Sequence, residues 1–219
     1  MYFRILHDEA AQAISYLLAD LDAGAAVLID PRGADLPLLK AMLNERSLQL
    51  QWVLLTHEHD DKEPGERDAL RTLGAPCVDH DTLGNDPIAF GNEHLRAMAT
   101  PGHTPGCLSF MWRDRLFCGD LLTVNLCPHQ PTPALPKAMW ESVTQKIFTL
   151  PAETLLFSSH AERARSITTV FEQRRWHPWF SSASRDEFLA RALPSRADAG
   201  DRTAMSARAH FHIPASTIE

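Results

Sequence analysis

The chain has 219 residues, 44% of them hydrophobic, and a net charge of −7, enough apolar side chain for one large core. The acidic balance offers no basic stripe for phosphate contacts and so speaks against nucleic acid; no apolar run approaches the ~20 residues of a membrane span. The first residues, Met1-Tyr2-Phe3-Arg4, lack the basic and apolar regions of a signal peptide, and a cytoplasmic location is expected.

In chain order, residues 13–18 alternate as a strand does, and 25–29 form a buried strand that ends at Asp30-Pro31. Residues 36–43 have helical spacing with Asp35 as N-cap. The apolar run 52–55 is a strand, and 66–73 is a helix stopped by Gly74. Short strands follow at 77–79 and 88–90, then a longer one at 94–99. Two prolines and two glycines in 100–106 fix a sharp loop around His103. Residues 108–112 and 116–118 form a hairpin about Arg113-Asp114. Four prolines in 128–136 exclude regular structure and suggest a rigid cover loop. A helix is expected at 139–148, a strand at 154–157 with His160 just beyond it, a helix at 163–175, and a last helix from 186 capped near Ser184.

The four cysteines, Cys77, Cys107, Cys118 and Cys127, form no CxxC pair and are expected as buried thiols; Cys107 and Cys118 flank the chemistry-bearing residues. Trp112, Trp140, Trp176 and Trp179 are expected in packing, and His210 and His212 at the terminus, at a subunit contact.

The chemistry concentrates in Thr56-His57-Glu58-His59-Asp60-Asp61-Lys62, directly after a buried strand. Two imidazoles at alternate positions past a strand end can converge on one cation, and imidazole suits zinc and iron. His103, Asp120 and His160 also follow apolar runs, so loops on one edge of a sheet scaffold can gather them.

Thr56-His57-x-His59-x-Asp61, Pro101-Gly102-His103-Thr104-Pro105-Gly106, Cys118-Gly119-Asp120 and Ser159-His160 together resemble the metallo-β-lactamase superfamily. Within it the chain is most similar to the persulfide dioxygenase and glyoxalase II branch, over roughly residues 10 to 195. Lys146-Ile147-Phe148-Thr149-Leu150-Pro151 and Arg174-Arg175-Trp176-His177-Pro178 resemble the dioxygenases more. The resemblance implies an α+β fold, a four-layered αββα sandwich, in a single domain over 1–219 with a helical C-terminal segment from about 163.

It also implies a metal site of His57, His59, His103 and Asp120. In the dioxygenases, His57, His103 and Asp120 match a 2-His-1-carboxylate iron set, and His59 lies just behind it. In the hydrolases His59 joins the ligands, and Asp120 bridges to a second metal held with Asp61, His160 and residue 62. Lys62 has no lone pair to donate and repels a cation, so one metal is expected, iron(II), with zinc as the alternative. Where the dioxygenases carry Gly-Arg-Thr-Asp, this chain has Cys127-Pro128-His129-Gln130, and Glu162 stands where they place a tyrosine. Substrate contacts therefore fall to His129, Arg163 and Arg165, and glutathione specificity is not implied.

Three functions follow from these residues. The first is a mononuclear persulfide dioxygenase acting on a low-molecular-weight thiol persulfide. The second is a metal-dependent hydrolase of thioesters or esters, and the third a catalytically degenerate sensor or interaction module. The expected partner is a small-molecule thiol or thioester substrate, in a chain that allows a homodimer.

Overall fold

Alternation along the strands builds the architecture. The computed structural model describes residues 1–59, 66–84, 86–162, 165–181 and 184–192. One sheet has the order β1-β2-β3-β4-β5, with β1 at Tyr2–Asp8, β2 at Ala13–Asp20, β3 at Ala25–Ile29, β4 at Gln49–Leu54 and β5 at Cys77–Val78. The other has the order β11-β10-β9-β8-β7-β6, with β6 at Ile88–Phe90, β7 at Glu93–Ala99, β8 at Leu108–Trp112, β9 at Arg115–Gly119, β10 at Leu155–Glu162 and β11 at Arg165–Thr169.

Successive side chains of a strand face opposite ways. In the first sheet Ile14, Tyr16, Leu18, Val27 and Ile29 point toward the second, where Phe110, Trp112, Phe117 and Phe157 meet them. Leu17, Ala19, Ala26 and Leu28 point outward, under Leu39 and Leu43 of α1 (Leu36–Glu45). On the far side Leu116, Cys118 and Leu156 pack beneath Met139, Val170 and Phe188. These come from α3 (Pro136–Glu141), α4 (Val170–Trp176) and α5 (Arg185–Ala192); α2 spans Glu66–Arg71. Helix, sheet, sheet and helix make the expected αββα sandwich. Each large side chain buried between the sheets contributes about 1.5–3 kcal/mol, so the paired sheets form a stiff base for the loops at their edge.

The strand pairing chooses that edge. β3 runs parallel to β4, and β9 parallel to β10. The carboxyl ends of these pairs carry Asp30, Thr56–His59, Asp120 and Ser158–His160. The two sheets are tied there: Leu108 N donates to Thr56 O at 2.7 Å, and the Tyr16 hydroxyl donates to Ser158 O.

Three elements differ from expectation. β1 pairs with β2 along its whole length, although its sequence carries no clean alternation. The helix expected at 163–175 is instead β11 followed by α4. Ile167, Thr168 and Thr169 are β-branched and favour a strand, and Thr169 with Glu172 forms a capping box that starts the helix late. His160 lies inside β10 after an irregularity beyond Phe157, not past the strand. Ser184 caps α5 as expected, accepting from Glu187 N at 3.3 Å. Asp35 occupies the N-cap of α1 without a side-chain bond. Trp112 is buried, whereas Trp176 is 62% exposed. Residues 193–219, which include His210 and His212, lie outside the described residues. Among the described residues no helix is long and apolar enough to cross a membrane.

Candidate metal centre

Four donors converge where the strand ends meet. One ligand atom each from His57, His59, His103 and Asp120 lies within 4.8 Å of every other. The three imidazoles stand edge to face, with centroids 4.9 to 5.0 Å apart. Asp120 Oδ2 is 3.4 Å from His57 Nε2 and 3.8 Å from His103 Nε2. Ligands about 2.0–2.1 Å from a tetrahedral cation are separated by roughly 3.3–3.4 Å. The donors thus stand slightly wider than a bound cation would hold them.

Burial supplies the second part of the fit. His103 and Asp120 are 0% and 1% exposed, yet both His103 nitrogens and both Asp120 oxygens lack an aligned hydrogen-bond partner among the described residues. Buried polar atoms without partners are costly, and such a set calls for a ligand. Two imidazoles and a carboxylate around a shared point make that ligand a divalent cation of the zinc or iron type.

The protonation balance agrees. Burial pulls His103 down to about 4, with the charge of Asp120 opposing. Burial and the neighbouring His57 and His103 bring His59 to about 4. Both rings are therefore neutral near pH 7 and keep a lone pair for a metal. Burial pushes Asp120 upward, but His57 and His160 outweigh it and hold its carboxyl well below the usual range. His160 goes the other way: burial lowers it, but bonds to Asp120 and Cys127 raise it to about 10.

The backbone and neighbouring side chains aim the donors. Asp30, with φ of 48° at the end of β3, accepts from Thr56 N and Thr56 Oγ1, each at 2.7 Å. Thr56 Oγ1 thereby spends its proton on Asp30 and accepts from His57 Nδ1 at 2.9 Å. This fixes the tautomer of His57 and turns Nε2 toward Asp120. Gly119 has φ of 55°, and a Cβ there would run into Thr56 Oγ1 and stand 3.2 Å from His57 Nδ1. Glycine is required by both conformation and space. Gly102 is equally confined: a Cβ would lie 2.5 Å from Met139 Cα. The proline-rich segment covers His103 as expected, since Ala134 N donates to His103 O and Leu135 N to Gly102 O, each at 2.9 Å.

The remaining expected residues divide. His160 Nε2 is 3.3 Å from Asp120 Oδ2, in a group with Cys127. His129 stacks obliquely on His59 at 5.3 Å between centroids. Asp61, Lys62 and Arg163 lie outside the described residues, and of Arg165 only its backbone place in β11 is described. Sequence reasoning passed over Thr56, Asp30 and Cys127 as site residues. Asp30 had a signal, an acid at the end of a buried strand; Cys127 had only its place at the head of the segment that stands where the dioxygenases carry Gly-Arg-Thr-Asp. A cavity of about 420 Å³ opens beside His57, with Glu58, Asp79 and Asp81 on its wall. Arg67 pairs with both Glu58 and Asp79.

An αββα sandwich whose strand ends offer three histidines and a buried aspartate to one cation defines a metallo-β-lactamase-type protein. No family model matches the sequence. The chain is 31% identical to the human mitochondrial persulfide dioxygenase ETHE1 over 188 residues, 80% of this chain and 74% of that protein. It is also 31% identical to a hydroxyacylglutathione hydrolase of Cereibacter sphaeroides over 173 residues, 71% of this chain and 66% of that one. The crystal structure of ETHE1 from Myxococcus xanthus superposes with a TM-score of 0.77 at 30% identity, covering 94% of this chain and 99% of that one. The chain belongs to the metallo-β-lactamase superfamily, in the branch of the persulfide dioxygenases and glyoxalase II enzymes. It is a metal-dependent enzyme of that superfamily.

Proposed function

We propose that the protein is a mononuclear, iron-dependent persulfide dioxygenase acting on a low-molecular-weight thiol persulfide. The observation that carries this reading is the face of His57, His103 and Asp120, two imidazoles and one buried carboxylate whose donor atoms converge. Such a face leaves positions open beside iron(II), which supplies redox chemistry toward dioxygen when bound. The net reaction takes a persulfide, dioxygen and water to a thiol and sulfite.

The residues of the chain do the rest. Asp30 and Thr56 hold His57 in one tautomer. His59, neutral because burial lowers it to about 4, stands against Cys127 Sγ at 3.3 Å and can accept a hydrogen bond behind the open face. The segment over His103 excludes water from that side. The cavity beside His57 admits the thiol carrier, and confinement there orders it against the metal. His129, which stacks on His59, and Arg163 and Arg165 are the proposed contacts for the carrier.

Oxygen uptake by anaerobically iron-loaded protein with a panel of persulfides tests the reading. Stoichiometric sulfite formation is expected; full iron loading without uptake on any persulfide rejects it. Hydrolysis of a thioester or ester is the second reading, favoured by the position of His160 against Asp120. A metal lowers the pKa of bound water, and Asp61 would orient it. Activity with zinc but not iron on acyl thiols selects this reading. A degenerate sensor predicts metal content well below one equivalent, with no gain on reconstitution.

A further inference from the structure

We propose that Ser142 and His177 are positioning residues of the metal centre: from the outer helical layer they clamp the two loops that present His103 and Asp120. The inference rests on the metal centre and not on the reaction assigned to it. It gives a purpose to the stretches Lys146–Pro151 and Arg174–Pro178, which contribute no donor.

The donors differ in how they are aimed. His57 is fixed by Thr56 through Nδ1. Neither ring nitrogen of His103 has an aligned hydrogen-bond partner among the described residues, so its backbone and packing aim the ring. Buried carbonyls need partners, and those of the His103 loop find them in one continuous stretch, 130–146. Ala99 O accepts from Lys146 Nζ at 2.6 Å, and Pro101 O from Ser142 Oγ at 2.8 Å. Gly102 O accepts from Leu135 N, and His103 O from Ala134 N and Gln130 Nε2.

That stretch contains an irregular turn. Ser142–Ile147 is π-helical, with Phe148 N donating to Val143 O at 2.8 Å. Such turns are rare and recur at functional sites. The widened turn begins at Ser142, which is 2% exposed, and Lys146 near its end reaches the same loop. Met139, just before it, lies so close to Gly102 that no Cβ fits there.

Asp120 is held from the same layer. His177 follows α4, is 7% exposed, and accepts at Nδ1 from Trp179 N at 3.1 Å. Its proton is therefore on Nε2, which donates to Leu122 O at 3.0 Å. Leu122 lies in the turn after Asp120, which Thr123 N closes by donating to Asp120 O at 3.1 Å. Each clamp thus grips a carbonyl two residues from a donor: Pro101 before His103, Leu122 after Asp120. The clamps are joined to each other. Arg174 Nη1 donates to Phe148 O at 3.2 Å, and Leu122, Val143, Ile147 and Phe180 share one apolar cluster. A buried carbonyl left without its donor is costly and drives the loop to shift. Metal ligands need placement within about 0.5 Å, so a shifted loop loosens the centre.

Anaerobic cobalt(II) titration of the metal-free full chain tests the clamps, with chelator competition reading affinity and the visible ligand-field bands reading geometry. Ser142→Ala and His177→Phe remove the hydrogen bonds and keep apolar contact, since His177 already packs on Phe180 at 4.8 Å between ring centroids. Each should bind cobalt about tenfold more weakly than wild type, the lower end for groups behind metal ligands, with shifted bands. Leu43→Ala weakens the core under α1, against the other sheet, and should leave affinity and bands unchanged. His177→Gln has an amide nitrogen that can still donate to Leu122 O and should return affinity to within about threefold of wild type. Comparison at temperatures where circular dichroism shows every metal-free variant folded separates positioning from folding. Wild-type affinity and bands in both clamp variants, an equal loss in Leu43→Ala, or a His177→Gln protein no better than His177→Phe overturns the proposal. None of these readouts involves oxygen uptake, so failure of the dioxygenase reading remains distinguishable.

Discussion

Replacing Thr56 by valine isolates the link between the first sheet and the metal. Valine matches the shape of threonine, and Thr56 is 1% exposed, so the packing of the strand end is kept. The hydroxyl that accepts from His57 Nδ1 at 2.9 Å and donates to Asp30 Oδ2 at 2.7 Å is lost. Asp30 retains Thr56 N on one oxygen and Ser159 Oγ, at 3.1 Å, on the other. The group that loses its threonine partner is therefore His57 Nδ1, and removing a hydrogen-bond partner from a largely buried group costs about 1–3 kcal/mol. Losing the hydrogen-bond partner of a metal-bound histidine typically lowers metal affinity 10–100-fold, about 1.4 to 2.7 kcal/mol. The two figures agree because they describe the same ring released from one orientation. Chelator-competition titration of the bound metal reads the affinity, and thermal unfolding of the metal-free protein reads the fold. Thr56→Ser keeps the hydroxyl and should bind metal almost as the wild type does, with about 1 kcal/mol less stability from the lost methyl. A Thr56→Val protein whose metal affinity stays within about twofold of wild type would refute the reasoning.

Other substitutions probe the scaffold and the cavity. Gly119→Ala must hold a left-handed conformation at about 1–2 kcal/mol and push Thr56 aside, so denaturant unfolding should show a loss beyond that figure together with weakened metal binding. Equal stability would mean that the strand end yields. Tyr16→Phe removes the hydroxyl that bridges to Ser158 O and should cost about 1–2 kcal/mol in the same assay, with the metal stoichiometry unchanged. Asp79 is pushed up by burial, but the Thr82 hydroxyl and amide, with Arg67, outweigh this and leave its carboxyl below the usual value. Its stabilisation is thus present above the unfolded value, ~3.9, and is lost as pH falls through the folded one. The stability gap between wild type and Asp79→Asn should be widest near neutrality and close in acid; a gap that widens in acid contradicts the assignment.

The sequence carried the layers and the donors, and it lost what depends on contacts between distant strands. The alternation of Ile14, Tyr16 and Leu18 against Leu17 and Ala19 was legible because the period of a strand is a local property. His57, His103 and Asp120 were legible because each ends an apolar run, which places it at a sheet edge. The strand β11 was misread because arginines and small residues around 163–166 dilute the β-branched signal, and tertiary pairing with β10 decides the outcome.

Thr56 and Asp30 were missed for a different reason. A threonine beside a histidine and an aspartate before a proline are common, and only the parallel pairing of β3 with β4 brings them into one hydrogen-bonded chain. The same holds for Cys127, whose sulfur joins Asp120 and His160 only when β9 and β10 lie side by side. A ligand set can therefore be proposed from motifs alone, whereas the groups that aim the ligands become visible only once strand register is known. If Thr56→Val leaves His57 fully competent, register has less authority over this centre than the motif itself. If metal affinity falls and Thr56→Ser restores it, the edge shared by the two sheets is part of the metal's environment.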